Sequence, residues 1–149
     1  MQNATVLYET DFYAWTQEQV KLINDREIDK LDLVNLQEEI ESMGKHEKRE
    51  LMSRLTVLIM HLLKWKYQPN YENKNSWKYT IKEQRKEIYY HLKDNPSLKN
   101  PEYLQTSFER AYEFAIYDAI RETGLSEKNF PETCEWDLTQ ILDDEFYPN

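Results

Sequence analysis

Leu51, Leu55, Leu58, Leu62 and Trp65 step along the chain by 4, 3, 4 and 3 residues, and between Leu55 and Leu63 only Thr56 and His61 are polar. That spacing is one face of a helix, and a helix apolar nearly all round has to be surrounded by others. No other stretch constrains the fold as strongly: it demands a central helix with helices packed about it. Two glycines in 149 residues agree with this, since turn-rich β proteins need glycine for left-handed turn positions. Gly44 and Gly124 alone also cannot make a three-glycine dinucleotide loop, a two-glycine phosphate loop or a glycine-flanked serine elbow.

Other segments read as helices of the same bundle. Phe12, Trp15, Val20 and Ile23 mark a first helix capped by Thr10 or Asp11 and ending at Asn24 to Arg26. Asp32 caps the main helix, which runs from about 33 to 67. Its early stripe, Leu33, Leu36, Ile40 and Met43, is out of phase with the later one, so the helix bends near Gly44 or its facing partner changes there. A polar loop follows from Gln68 to Asn75, and Asn75 or Ser76 caps a helix lined by Trp77, Ile81, Ile88 and Leu92. Asn100-Pro101-Glu102 opens another, carried by Leu104, Phe108, Ala111, Ala115 and Ala119 and stopped at Gly124. Asp137 and Gln140 stand at capping-box spacing before a short helix through Ile141 and Leu142. The expected architecture is all-α: residues 1–149 as a single-domain helical bundle with a long central helix and a short C-terminal one.

Length and composition bound the function. The longest apolar run is Val57 to Met60, far below the ~20 residues of a membrane-spanning helix. The N-terminus lacks a basic start and an apolar stretch, so no secretory signal is read and a cytoplasmic location is expected. The single cysteine, Cys134, has no second thiol for a disulfide or a cysteine-based zinc site, and reads as structural. The formal charge of −9 is unevenly spread. Residues 1–43 carry 3 basic and 10 acidic side chains, residues 44–99 carry 13 and 6, and residues 100–149 carry 3 and 12. The basic middle, with Tyr67, Tyr71, Trp77 and Tyr79 as stacking groups, is a candidate weak polyanion surface. The acidity of the whole disfavours nucleic acid, whose binding rests on phosphate neutralisation. The bland reading has the acidic segments neutralise the basic one within a monomer or an oligomer.

Candidate chemistry is sparse. His46 and His61 stand ~22 Å apart along one helix, too far to share a metal, and the Glu-x-x-His pattern of di-iron bundles is absent. Glu87 with His91, or His91 with Asp94, is better read as a surface ion pair than as metal ligands, so neither a metal nor another cofactor is expected. Arg54 with His61, and Arg85 with His91, resemble the Arg-x(4–6)-His motif of helical ribonucleases from toxin–antitoxin and defence systems. There histidine serves as acid–base and arginine stabilises the phosphorane. Three histidines and six arginines make such spacings common by chance. Arg54 and His61 are thus the candidate catalytic pair of an enzyme reading, and Trp77, Arg85 and His91 the candidate binding residues. In the plainer account His61 is a buried core histidine, Arg54 or Arg85 pairs with Glu38, Glu39 or Glu41, and the four tryptophans anchor the core or an interface.

Taken together, Tyr8 to Trp15, Leu31 to Gly44, Met60 to Trp65, Ser76-Trp77 with Ile81 to Arg85, and Phe130 to Trp136 resemble a bacterial, cyanobacteria-rich family catalogued as the twenty-ninth domain of unknown function. The resemblance implies a compact all-helical protein and brings no catalytic residues with it. The expected function is a non-enzymatic protein-interaction or regulatory module that binds a protein partner or itself.

Overall fold

The computed structural model describes residues 4–68, 72 and 74–149, with Ala4 and Thr5 described by their backbone alone. The described residues form six α-helices: α1 (Ala4–Thr10), α2 (Phe12–Asn24), α3 (Leu33–Tyr67), α4 (Lys74–Asp94), α5 (Pro101–Thr123) and α6 (Leu138–Leu142), with short 3-10 turns between them. The long α3 and the short C-terminal α6 are as the sequence requires, and no strand occurs among the described residues. No helix of the described residues is long and apolar enough to cross a membrane. Helix α1 has no counterpart in the sequence reading, because Ala4 to Thr10 lacks both an apolar repeat and an acid in its first turn. The stacking candidate Tyr71 lies outside the described residues.

The chain falls into two compact units, Met1–His46 and Glu47–Asn149. Helix α3 is continuous through Gly44, and the change of stripe phase falls at this border. A Cβ at Gly44 would meet nothing within 4 Å.

In the C-terminal unit the interior is apolar. Leu51, Leu55, Leu58, Ile59, Leu62 and Leu63 of α3 are buried together with Ile81 and Ile88 of α4, Phe108 of α5 and Ile141 of α6. Ala111, Ala115 and Ala119 are wholly buried at four-residue spacing, a row of small side chains that lets α5 approach closely. Asn100 caps α5, its side chain accepting from Glu102 N, with proline in the first turn. At the other end Gly124 takes the left-handed conformation, φ 73°, that closes a helix. Asp137 and Gln140 form the capping box.

The N-terminal unit is built the other way round. Its interior is a hydrogen-bonded knot centred on Asp32, which caps α3 through Asn35 N at 3.4 Å. Asp32 also receives the Trp15 indole N–H at 3.0 Å and the Asn35 amide at 2.7 Å, while its own N–H donates to Gln19 Oε1 at 2.9 Å. Tyr8 donates to Glu39, which pushes its phenol up to about 12. Trp15, Gln19 and Asn35 are buried, whereas Phe12, Val20, Ile23, Leu33, Ile40 and Met43 are exposed. The two stripes expected to face inward, on α2 and on the first half of α3, therefore look outward apart from Trp15 and the half-buried Leu36.

Candidate functional site

Arg54 and His61, seven residues apart on α3, share no partner among the described residues. The Arg54 guanidinium turns to α4: Nε and Nη2 donate to Glu50 Oε1 at 3.2 and 3.1 Å, Nη1 to Gln84 Oε1 at 3.4 Å, and Nη2 lies 3.8 Å from Glu87. His61 turns to α5. Its Nδ1 is 2.8 Å from the Val57 carbonyl, so Nδ1 carries the proton and Nε2 is left as an acceptor. Beside it Lys64 pairs with Glu122 at 2.8 Å. Desolvation is the main cause that lowers the His61 pKa, followed by the opposing Val57 hydrogen bond and the Lys64 charge. The ring is half-buried rather than sealed, sitting at the margin of the apolar spine.

Arg85 and His91 are likewise separated. Arg85 is buried, and its Nε donates to the Ile141 carbonyl at 2.8 Å, Nη2 to Phe146 O at 2.7 Å and Nη1 to Asp144 O at 3.4 Å. Its guanidinium also lies 5.4 Å from the centre of the Tyr147 ring. Desolvation is the largest influence on its pKa and pulls it down, yet an arginine stays charged across the working range. Arg85 thus pins the C-terminal segment by occupying one carbonyl in the last turn of α6 and two beyond it. Neither Arg54 nor Arg85 reaches Glu38, Glu39 or Glu41 as expected; Arg54 instead finds Glu50 and Glu87.

The structure does join two candidates that the sequence placed in different pairs. His91 is 8 % exposed, its Nε2 donates to the Glu47 carbonyl at 2.9 Å, and its Nδ1 is 3.7 Å from Glu50 Oε2. Glu50 therefore stands between Arg54 and His91, on α3 and α4. Sequence reasoning missed Glu47 and Glu50; their signal was Glu50 one helical turn before Arg54. With Nε2 committed to the Glu47 carbonyl, Nδ1 facing Glu50 and little of the ring accessible, His91 is turned to α3. The cluster fixes α3 against α4.

Trp77 is buried and lies under the Lys64 ammonium, 4.8 Å from the ring centre. Tyr67 packs edge-on to Phe130 at 5.1 Å. Of the described stacking candidates only Tyr79, 72 % exposed, is open. Burial pushes the Cys134 thiol up to about 11, away from the thiolate a nucleophile needs. A cleft of about 500 Å³ lies between α5 and the following segment, over Tyr112, Ile116, Phe130 and Pro131, with Glu113, Glu127, Glu132 and Lys128 among its lining. None of these places joins a nucleophile, an activating base and an oxyanion donor.

The N-terminal unit departs from an ordinary water-facing surface. Leu33, Val34, Ile40 and Met43 are 64, 78, 63 and 62 % exposed along the first three turns of α3. Glu38 and Glu41 are exposed among them. Scattered apolar side chains on a surface need no explanation; these four stand together on one stretch of one helix.

No curated protein and no solved structure matches the chain. The model of the family described as "Domain of unknown function DUF29" matches residues 7–147, and the chain belongs to that family.

Proposed function

We propose that this protein is a non-enzymatic interaction module whose contact surface is the N-terminal unit. The observation that carries the reading is the outward apolar surface of Leu33, Val34, Ile40 and Met43, which spans about half the circumference of α3. These side chains leave water only when another surface covers them, and burial returns about 25 cal/mol for each Å² removed. The polar knot behind them orders α2 and α3, so the stripe is presented on a rigid rod and loses little entropy on binding. The reading takes residues 1–149 as one helical domain, since α3 crosses the border between the units without a break.

A photoreactive phenylalanine analogue at Ile40, compared with the same group at Tyr117, tests it. Tyr117 is as exposed, 69 %, but lies on α5 of the other unit. Irradiation of native lysate is expected to give a discrete protein adduct from position 40 and none from 117. No adduct at 40, or equal labelling at both, overturns the proposal.

A further inference from the structure

The outward face of α4 is the chemical complement of the stripe on α3. Lys78, Lys82, Lys86, Tyr89 and Lys93 fall within about 80° of arc on that helix, and all five are exposed. Tyr79 and Tyr90 stand beside them, 72 and 48 % exposed. Lys82, Lys86 and Lys93 form no ion pair among the described residues. The face is thus a row of ammonium groups interleaved with flat, amphipathic rings. On α3 the opposite pattern occurs, apolar side chains beside the Glu38 and Glu41 carboxylates, over ~15 Å from Leu33 to Met43.

We propose that the occupant of the α3 stripe is the α4 face of a second copy of this chain, so that copies associate head to tail. The inference rests on the interaction-module reading and names its partner. Tyrosine rings and lysine stems cover Leu33, Val34 and Ile40, while the ammonium tips reach Glu38 and Glu41. Two α3 stripes do not pair with each other as well, because that contact sets carboxylates against carboxylates, in a segment with 10 acidic and 3 basic side chains over residues 1–43. The same acidity turns an anionic lipid surface away. The contact is heterologous, using one face on each copy, so copies add head to tail, into a ring where the rotation closes and a filament where it does not. Three or four helical turns a side is a small interface, and the dissociation constant belongs on the order of 10 µM.

The purified full chain tests this directly by sedimentation across concentration. Average mass is expected to climb with concentration at low salt, and the apparent dissociation constant to weaken at least ~10-fold between about 50 and 500 mM salt. Ile40→Asp and Lys82→Glu/Lys86→Glu should each sediment as monomers with melting temperatures like that of the parent. Val34→Asp serves in place of Ile40→Asp if the latter melts early. Mixed one to one, the two variants should form a dimer and stop there, because one intact pair of faces remains. A parent that stays monomeric to about 200 µM, far above the dissociation constant assigned here, overturns the proposal. So does a dimer that survives Lys82→Glu/Lys86→Glu, which would be the two-fold contact through α3, or a mixture that stays monomeric. If any of these occurs while the group at position 40 still crosslinks to a different protein, the interaction-module reading stands and only this partner is lost.

Discussion

The two units use the same helix, α3, in opposite senses. From Glu47 onward its apolar face is buried under α4, α5 and α6, with Leu55, Leu58 and Leu62 fully enclosed. Before Glu47 its apolar face is open and its polar side is turned inward, with Asn35 joined to Trp15 and Gln19 through Asp32 and Glu39 accepting directly from Tyr8. One unit is held by area removed from water on many side chains, the other by directed hydrogen bonds around Asp32 and the Tyr8–Phe12–Trp15 ring cluster. The two kinds of cohesion fail differently. Apolar burial is spread over many side chains, whereas a knot fails when its central residue is lost.

Truncating matched residues gives the largest expected contrast. Leu58→Ala should cost about 3–5 kcal/mol, since it opens a cavity in a close-packed interior. Ile40→Ala removes a similar volume from water-exposed helix and should stay within about 0.5 kcal/mol. Urea titrations of both variants check this. A large cost at Ile40 would mean that the stripe is already covered in the isolated protein.

Arg85 tests whether the apolar unit also depends on a polar device. Arg85→Met keeps most of the volume but strands the carbonyls of Ile141, Asp144 and Phe146, and should cost about 3 kcal/mol. Arg85→Lys should recover less than half, because an ammonium lacks the planar fork that reaches separated acceptors. Hydrogen exchange over residues 138–147 should rise in both variants, and more in the methionine one.

In the other unit, Asp32→Ala should cost about 2–3 kcal/mol, by removing a cap and leaving the Trp15 and Asn35 donors without their acceptor. A pH titration reads the same residue without mutation. Burial works to raise the Asp32 carboxyl, but the hydrogen bonds from Asn35 and Trp15 together outweigh it and hold the pKa below its ordinary value. A folded value below the unfolded one means the contribution is complete above about pH 4 and is lost as the pH falls through the folded value. The Trp15 indole N–H signal should therefore hold through the ordinary carboxylate range and move only as the pH falls through the depressed Asp32 value, apart from those of Trp65, Trp77 and Trp136. Equal movement of all four would deny the knot its separate role.

The contrast explains how far the sequence could be read. Apolar spacing gave α2 to α6 and the spine from Leu51 to Leu63, because there the buried face and the apolar face coincide. It misplaced the faces of Phe12, Val20, Ile23, Leu33, Ile40 and Met43, because periodicity reports which side chains avoid water and not which neighbour covers them. The buried Gln19 and Asn35 look like surface residues in one dimension; only the backbone and carboxylate of Asp32, brought close by the turn at Ile28–Lys30, make them interior. The same limit applies to Arg54 and His91. Helical spacing offered Arg54 with His61 and Arg85 with His91, but which side of α3 meets α4 is tertiary information, and it put Glu50 between Arg54 and His91.

The smallest expected effect concerns how the N-terminal unit turns between α2 and α3. Arg26 is the non-glycine residue with positive φ among the described residues, at 59°. It follows the end of α2, where Glu27 N–H reaches back to Leu22 O at 2.9 Å and Asp25 N–H to Lys21 O at 2.9 Å. This left-handed closure of a helix is the position glycine fills in most proteins, because a Cβ there crowds the carbonyl, at about 1 kcal/mol. Arg26→Gly relieves that crowding but gives the unfolded chain more freedom, so the gain should be about 0.5 kcal/mol. For a chain of this length that is a rise of about 1–2 °C in melting temperature, measurable by calorimetry. If the knot around Asp32 sets the stability of this unit, the gain should survive in Leu58→Ala and shrink in Asp32→Ala, where the turn no longer delivers Asp32 to Trp15. Equal gains in both backgrounds would mean that the turn and the knot act independently, and that α2 and α3 are held together by something other than Asp32.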